Sequence, residues 1–341
     1  MEQQQYPIDF VVTWLDSSDP LWQTQFAKYK KNETEQKESA RFRNLNIFNY
    51  WFRAVEQYAP WVNKVFLVTN GTFPKWINPN HPKLVFVKHS DYIPEEYLPT
   101  FNSITIELFM HKIKGLSEHF VYFNDDFFLN SPTKPELFFR KGLPCDNNKE
   151  TSFNVPIYSK RDKFETWLSL MCDIGVINAH FNRWNTVRQS IRRWYGPHLG
   201  IKGLLTSLFV MRHYKFIGFD PRHCEQPFLR STFEQAWKEE PEILEKSCTR
   251  FREDVTLNPY FFRYWQFAAN KFFPLKYYKS KYFSIRTSLL GEIEEVLYDQ
   301  KTTSVCLNDT AKCPDDEFEI INSRLQVLLE RKFPDKSKYE I

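Results

Sequence analysis

The sequence is poor in glycine, with nine in 341 residues, and holds neither an internal repeat nor a low-complexity tract. That excludes collagen-like and linker-dominated chains and points to a folded core. No stretch of about 20 apolar residues is present, so no segment is expected to span a membrane. The nearest, Leu199 to Met211, is too short and carries Lys202. The opening "MEQQQYPIDF" lacks the basic and apolar regions of a signal peptide, so a cytoplasmic protein is expected. Its six cysteines form no C-x-x-C pair and read as reduced thiols rather than a disulfide framework or a zinc site. Basic and acidic residues nearly balance, 46 against 42, a net charge of +4. This is far from the strong basicity of a nucleic-acid binder, and leaves room for an anionic ligand or surface.

Aromatics are abundant instead, at 18%. One run, "FVYFNDDFFLNSP" (Phe120 to Pro132), sets Asp125 and Asp126 side by side amid apolar residues. Its first half reads as a buried strand. Others precede it: "IDFVVTWLD" from Ile8, "KVFLVTNG" from Lys64 and "KLVFVKH" from Lys83. Between them Leu45, Phe48, Phe52 and Val55 recur at helical spacing, and a polar cap at Asn102 or Ser103 opens a helix expected to reach Gly115. Strands apolar on both faces, alternating with helices, predict an α/β fold with a mostly parallel sheet covered by helices. Each strand ends in polar groups: Asp16, Thr69 and Asn70, His89, then Asn124 to Asp126. In such sheets ligands bind outside the carboxyl ends of the strands.

Further along, Phe181 to Tyr195 reads as one basic amphipathic helix with a solvated arginine face. Pro227 to Lys246 reads as helix interrupted by Pro241. Asp316 to Lys332 reads as a last helix with Phe318, Ile321, Leu325, Leu328 and Leu329 facing the core.

Two unpaired carboxylates in a dry cleft would cost several kcal/mol each. A divalent cation removes that cost, and Mg²⁺ favours oxygen ligands and substrate phosphate. Neighbours in a strand point to opposite faces, so both acids reach one ion only if the chain turns at Asp125. The turn toward Asn130-Ser131-Pro132 is the plainer alternative. Asp16 in "TWLDSSDP" fits either a nucleotide site or an ordinary turn. Glu107 either offsets a helix dipole or points into the cleft. His223 reads as either a structural histidine or an acid/base group, and Arg250 and Arg252, two residues apart, as either surface charges or a phosphate-binding pair. A second acidic element, Asn308-Asp309, ends another apolar run, "SVCLNDT".

These segments together resemble the Stealth family of sugar-phosphate transferases. The resemblance is carried by "IDFVVTWLDSSDP", by "RFRNLNIFNYWFRAVEQYAPWVNKVFLVTNGTFPKWIN" running on through "LPTFNSITIELFMHKIKGLSEHFVYFNDDFFL", by "HCEQPFLRS" with "RFRED", and by "SVCLNDT" with "FPDKSKYE". Ser17, Asn49, and Cys224 with Glu225 depart from the usual pattern. The resemblance implies a Rossmann-like, glycosyltransferase-A-like sheet. Residues 1–139 and 211–341 would form the catalytic domain, and 140–210 a variable, partly helical insertion. It implies transfer of a hexose-1-phosphate from a UDP-sugar to a hydroxyl of a lipid-linked or polymeric glycan, with release of UMP. A metal-dependent glycosyltransferase releasing UDP, or a non-catalytic polysaccharide-binding scaffold, are the rival readings. Carried onto this chain, the resemblance implies nucleotide contacts from Thr13, Trp14 and Asp16, and a sugar and phosphate pocket from Asn102, Ser103 and Glu107. Arg252 would hold the diphosphate, with Arg53 or Arg41 as lesser candidates. Asp125, Asp126 and Asp309 would hold Mg²⁺ or Mn²⁺, and His223, then Asp126, would serve as the acid/base group. No nucleic-acid partner is expected, and peripheral contact with the inner face of the membrane is.

Overall fold

The computed structural model describes residues 6–30, 43–151, 161–252, 257–276, 279–309 and 313–341. The elements that build the first half are β1 (Ile8–Thr13), α1 (Pro20–Tyr29), α2 (Phe48–Tyr58), β2 (Val65–Thr69), β3 (Leu84–Lys88), α3 (Ser103–Leu108), β4 (His119–Phe123) and β5 (Phe127–Leu129). Next come the short β6 (Phe139–Arg140) and β7 (Leu143–Asp146), followed by α4 (Arg161–His180), α5 (Arg183–Gln189), α6 (Ile191–Trp194) and α7 (Gly200–Val210). The last part holds β8 (Gln226–Leu229), α8 (Arg230–Glu239), α9 (Pro241–Ser247), α10 (Tyr260–Ala268), β9 (Phe273–Pro274), β10 (Ser280–Ser284), α11 (Leu290–Tyr298), β11 (Ser304–Asn308) and α12 (Asp315–Lys332).

The central sheet runs β3-β2-β1-β4-β8, parallel except for β8 at one edge. This is the expected α/β, mostly parallel, Rossmann-like arrangement. Its strands are buried on both faces because each alternates between two cores. Phe10, Val12, Val65, Leu67, Val121 and Phe123 face a core shared with α2, α11 and α12. Val11, Phe66, Val68, Phe120 and Tyr122 face a second one, shared with α4, α8 and α10. The predicted apolar stripes of α2 and α12 are buried as their spacing requires. A smaller sheet, β10-β11-β5, joins the first core, with β11 antiparallel to β5.

Four expectations change. Pro227 to Leu229 is an edge strand, where proline's missing N–H costs no ladder bond on the open side. The helix after Asn102 stops at Leu108, because a 3₁₀ turn at Met110–Lys112 and the stacking of Phe109 on Trp237 redirect the chain. The basic helix breaks at Ser190, whose φ of −149° is extended, into α5 and α6. Its Arg183 is 1% exposed rather than solvated, held in a fork by Glu150 at 2.7 Å. Losing one partner of such a pair would cost about 3–5 kcal/mol.

His89 does not open into the cleft. It is buried, and loss of solvation pulls its pKa down to about 4. Burial does the same to His111 and His198, again to about 4. A neutral folded histidine opposes an unfolded one that protonates near pH 6.5, so the unfolded state gains protons as pH falls. Stability is therefore full above about pH 6.5 and is lost toward pH 4, with a share from His89 on the order of 3 kcal/mol. Urea titrations between pH 7 and 4.5 should show this decline, and a flatter profile for His89→Gln; parallel profiles would contradict it.

Candidate active site

β4 ends at Phe123 and the chain reverses through Asn124–Phe127, closed by a 3.1 Å bond from the Phe127 N–H to the Asn124 carbonyl. The turn places Asp125 and Asp126 at its corner, at the carboxyl end of the sheet. The condition set by strand geometry, a turn at Asp125, is met. β11 pins this corner from the side. The Leu307 N–H donates to the Asp126 carbonyl at 2.9 Å, and Asn308 Nδ2 donates to Asp126 Oδ2 at 2.9 Å. Tyr282 in β10 donates its hydroxyl to Asn308 Oδ1 at 3.1 Å.

Topology brings the other groups here. β8 runs antiparallel to β4, so His223, just before β8, arrives at the carboxyl end of β4. Its ring meets Phe127 and Tyr282 edge-on, at 4.9 and 5.4 Å between centroids. Ligand atoms of Asp126, His223 and Cys306 lie within 4.8 Å of one another. On the far side, the 249–252 segment packs on the start of α3. Thr105 Oγ1 donates to the Thr249 carbonyl at 2.7 Å, and Arg252 donates to Ser103 Oγ, also at 2.7 Å. Glu107, one turn into α3, lies beside Ser103 and Tyr122 and faces Arg252, while the Tyr122 hydroxyl donates to Asn124 Oδ1 at 2.5 Å. Tyr122 and Thr13 share a 3.2 Å hydroxyl contact, which ties β1 to the group.

Asp125 and His223 are exposed and Glu107 partly so, yet protein crowds each of them enough to move its pKa. Lost solvation first, and the Asp126 carboxylate second, push Asp125 up to about 7. Lost solvation likewise lifts Glu107 to about 7 against the pull of Arg252. His223 is lowered by crowding, with Asp126 opposing and Arg252 reinforcing the shift, so its imidazole is neutral near pH 7.

Asp126 Oδ1 is buried with no hydrogen-bond partner among the described residues, a costly state unless a proton or cation meets it. Cys306 donates its thiol to Asp126 Oδ2 at 3.4 Å, and burial holds that thiol protonated. The Asp126 carboxylate beside a protonated thiol suits a hard, oxygen-preferring divalent cation better than a thiolate-bound soft metal.

Not all expected residues join. Asp309 follows Asn308 but turns its carboxylate to Arg43, which grips it in a fork at 2.8 and 2.9 Å. It is Asn308 that meets Asp126. Arg53 is buried in a separate network with Glu340, Glu330 and the Phe333 carbonyl, and fixes the C-terminal segment against α2. Asn102 is buried too, capping α3 through Ile104 N–H and donating to Thr249 Oγ1. It holds the loop rather than facing the cleft. Asp16 accepts from the Ser18 N–H and hydroxyl in a local turn. Trp14 stacks on Phe48 and, with Asn44, Asn49 and Arg53, lines a cavity of about 350 Å³ that shares none of its lining residues with the cleft. Arg41 lies outside the described residues. Tyr122, Tyr282 and Cys306 escaped the sequence reading. Tyr122 carried the only available signal, a polar-tipped residue two before Asn124 on the same strand face.

Residues 41–146 match the region described as "Stealth protein CR2, conserved region 2". The chain is 36% identical to the capsular polysaccharide phosphotransferase WcwK of Streptococcus pneumoniae, covering 98% of both chains. It is 36% identical to the receptor polysaccharide phosphotransferase WefC of Streptococcus oralis over 98% of this chain and 99% of that one. With the exopolysaccharide phosphotransferase cps2G of Lactiplantibacillus plantarum it shares 34% identity over 98% and 96%. Among solved structures, the galactosyltransferase LgtC overlays with a TM-score of 0.38 at 8% identity over 97% of this chain and 98% of that one, a likeness too slight to argue from.

The geometry separates the two acidic elements. Asp126→Asn should abolish Mn²⁺ binding in calorimetry. Asp309→Asn should retain it and instead lose about 1–3 kcal/mol of stability to urea, by breaking the fork to Arg43. Equal loss of Mn²⁺ binding in both variants would return Asp309 to the cation site.

Proposed function

The chain belongs to the Stealth family, and on that premise we propose that it transfers a hexose-1-phosphate from a UDP-sugar to a hydroxyl of a glycan acceptor, releasing UMP. Its relatives are polysaccharide phosphotransferases, and it is an enzyme of that class, acting in capsular or cell-surface polysaccharide synthesis. The acceptor is a lipid-linked or polymeric glycan, met in the cytoplasm at the inner membrane face.

The observation that carries this reading is His223 beside Asp126 in one cleft with Arg252. The acceptor oxygen attacks the phosphorus next to the sugar. A new P–O bond forms, the bond to the bridging oxygen breaks, and UMP leaves with the electron pair. His223, neutral near pH 7, accepts the hydroxyl proton on a ring nitrogen. The neighbouring Asp126 carboxylate stabilises the imidazolium so formed. Arg252, steered by Ser103 Oγ, holds the diphosphate oxygens in a fork. Glu107 and Ser103 line the sugar side. The cavity at Trp14, of a size that suits a small ligand, receives the nucleoside. When bound by Asp125 and Asp126, Mg²⁺ or Mn²⁺ supplies neutralisation of the phosphate charge. Such transfers depend on positioning and charge more than on covalent chemistry.

Incubation with a panel of UDP-sugars, a divalent cation and a glycan acceptor should release UMP. His223→Ala should lower kcat by about 10²–10⁴-fold with an unchanged circular dichroism spectrum. UDP as the product would favour glycosyl transfer, and binding without any nucleotide release would favour the scaffold reading. A fully active His223→Ala enzyme would remove that residue from the chemistry.

A further inference from the structure

Helix α7 is amphipathic in the inverted sense. Its buried positions are Gly203, Ser207 and Val210, while Ile201, Leu204, Leu205, Leu208 and Phe209 face outward. Those five stand at i, i+3, i+4, i+7 and i+8, the spacing that ordinarily marks a core-facing stripe. Here Ile201 is 81% exposed, Leu205 62% and Phe209 78%. The orientation is set by fit: a Cβ added to Gly203 would stand 3.1 Å from the Leu199 Cβ and 3.6 Å from the Lys149 Cγ, so only a small residue lets α7 seat this way. The apolar surface continues past the helix end through Met211 to Trp184 and Tyr214. Trp184 donates its ring N–H to the Met211 carbonyl at 3.1 Å, and both rings are exposed. Monomeric proteins rarely leave so continuous an apolar surface in water.

The charge around it has one sign. Residues 174–219 carry seven Lys and Arg and no Asp or Glu, while the rest of the chain carries 39 against 42. The positive excess of the whole chain thus comes from this segment. Lys202 on α7 and Arg212 just past its end flank the apolar face, and Arg188 lies one turn beyond Trp184 on the same side of α5. All three are exposed and make no ion pair with a described residue.

We propose that this face seats the enzyme on an anionic lipid surface. The apolar side chains of α7 enter the acyl boundary, Trp184 and Tyr214 lie at headgroup depth, and Lys202, Arg212 and Arg188 meet lipid phosphates. No described helix is long and apolar enough to cross a membrane, so the contact is peripheral. Charge complementarity favours lipid over a second copy, because two such faces would bring like charges together. A lipid-anchored acceptor would then be met in two dimensions rather than in bulk solution.

The test is co-sedimentation of the full chain with phosphatidylcholine vesicles, with and without phosphatidylglycerol. Wild type should partition onto the anionic vesicles and be released by salt. Leu205→Gln with Phe209→Gln should lower partitioning at least about tenfold. Lys202→Gln with Arg212→Gln should lower it about fivefold per charge on anionic vesicles, and leave binding to neutral ones unchanged. Nucleotide release with a water-soluble acceptor should stay at the wild-type rate in both variants, which separates this outcome from any failure of the transfer reading. Absence of wild-type partitioning, or equal partitioning of all three proteins, would overturn the proposal. So would a lipid-independent dimer that the apolar variant abolishes, which would assign the face to a second copy.

Discussion

The contact between β11 and the Asp125–Asp126 corner is the constraint on which the site depends. A carboxylate pair left on a free turn would splay into solvent. Here the Leu307 N–H holds the Asp126 backbone, and Asn308 and Cys306 hold one of its side-chain oxygens, leaving Oδ1 buried with no hydrogen-bond partner among the described residues. One side chain is thus fixed through one oxygen while the other stays unmatched among the described residues. The Tyr282–Asn308 bond carries the same rigidity outward to the wall against which His223 packs.

The arginines sort by a related logic. Arg43, Arg53, Arg183 and Arg263 are each forked onto carboxylates and lie between buried and half-buried. Their charges are matched inside the fold and hold segments together. Arg252 is instead exposed, donating to the Ser103 hydroxyl and facing Glu107.

The sheet and its cleft end were readable from the chain because β1 to β4 are continuous apolar runs, each ending in a polar group. The turn at Asp125 was readable as a condition, since strand alternation forbids both acids from sharing a ligand otherwise. Other features were not. Asn308 and Asp309 are adjacent, and nothing local says which faces Asp126; a distant residue, Arg43, decides by claiming Asp309. Arg183 looked like a surface charge because its partner Glu150 lies 33 residues away in sequence. Gln226–Leu229 looked helical because the edge position that tolerates Pro227 is a property of the sheet. Asn102 matched its motif but spends its amide on capping α3 and on Thr249, which only packing reveals. Pairings that span the chain are invisible to periodicity.

The bond from Asn308 to Asp126 joins positions 182 residues apart. A ribosome emits the parallel strands β1 to β4 early, and they can begin to collapse on their helices while the rest of the chain is still unmade. β5 must wait for a partner that arrives almost last. Loops of that length close slowly, so the growing chain passes through a long interval with a nearly complete sheet and no organised reaction centre. The clamp on this corner and the last wall of the first core, α12, therefore arrive together at the end of synthesis, and a polypeptide cut before β11 lacks both.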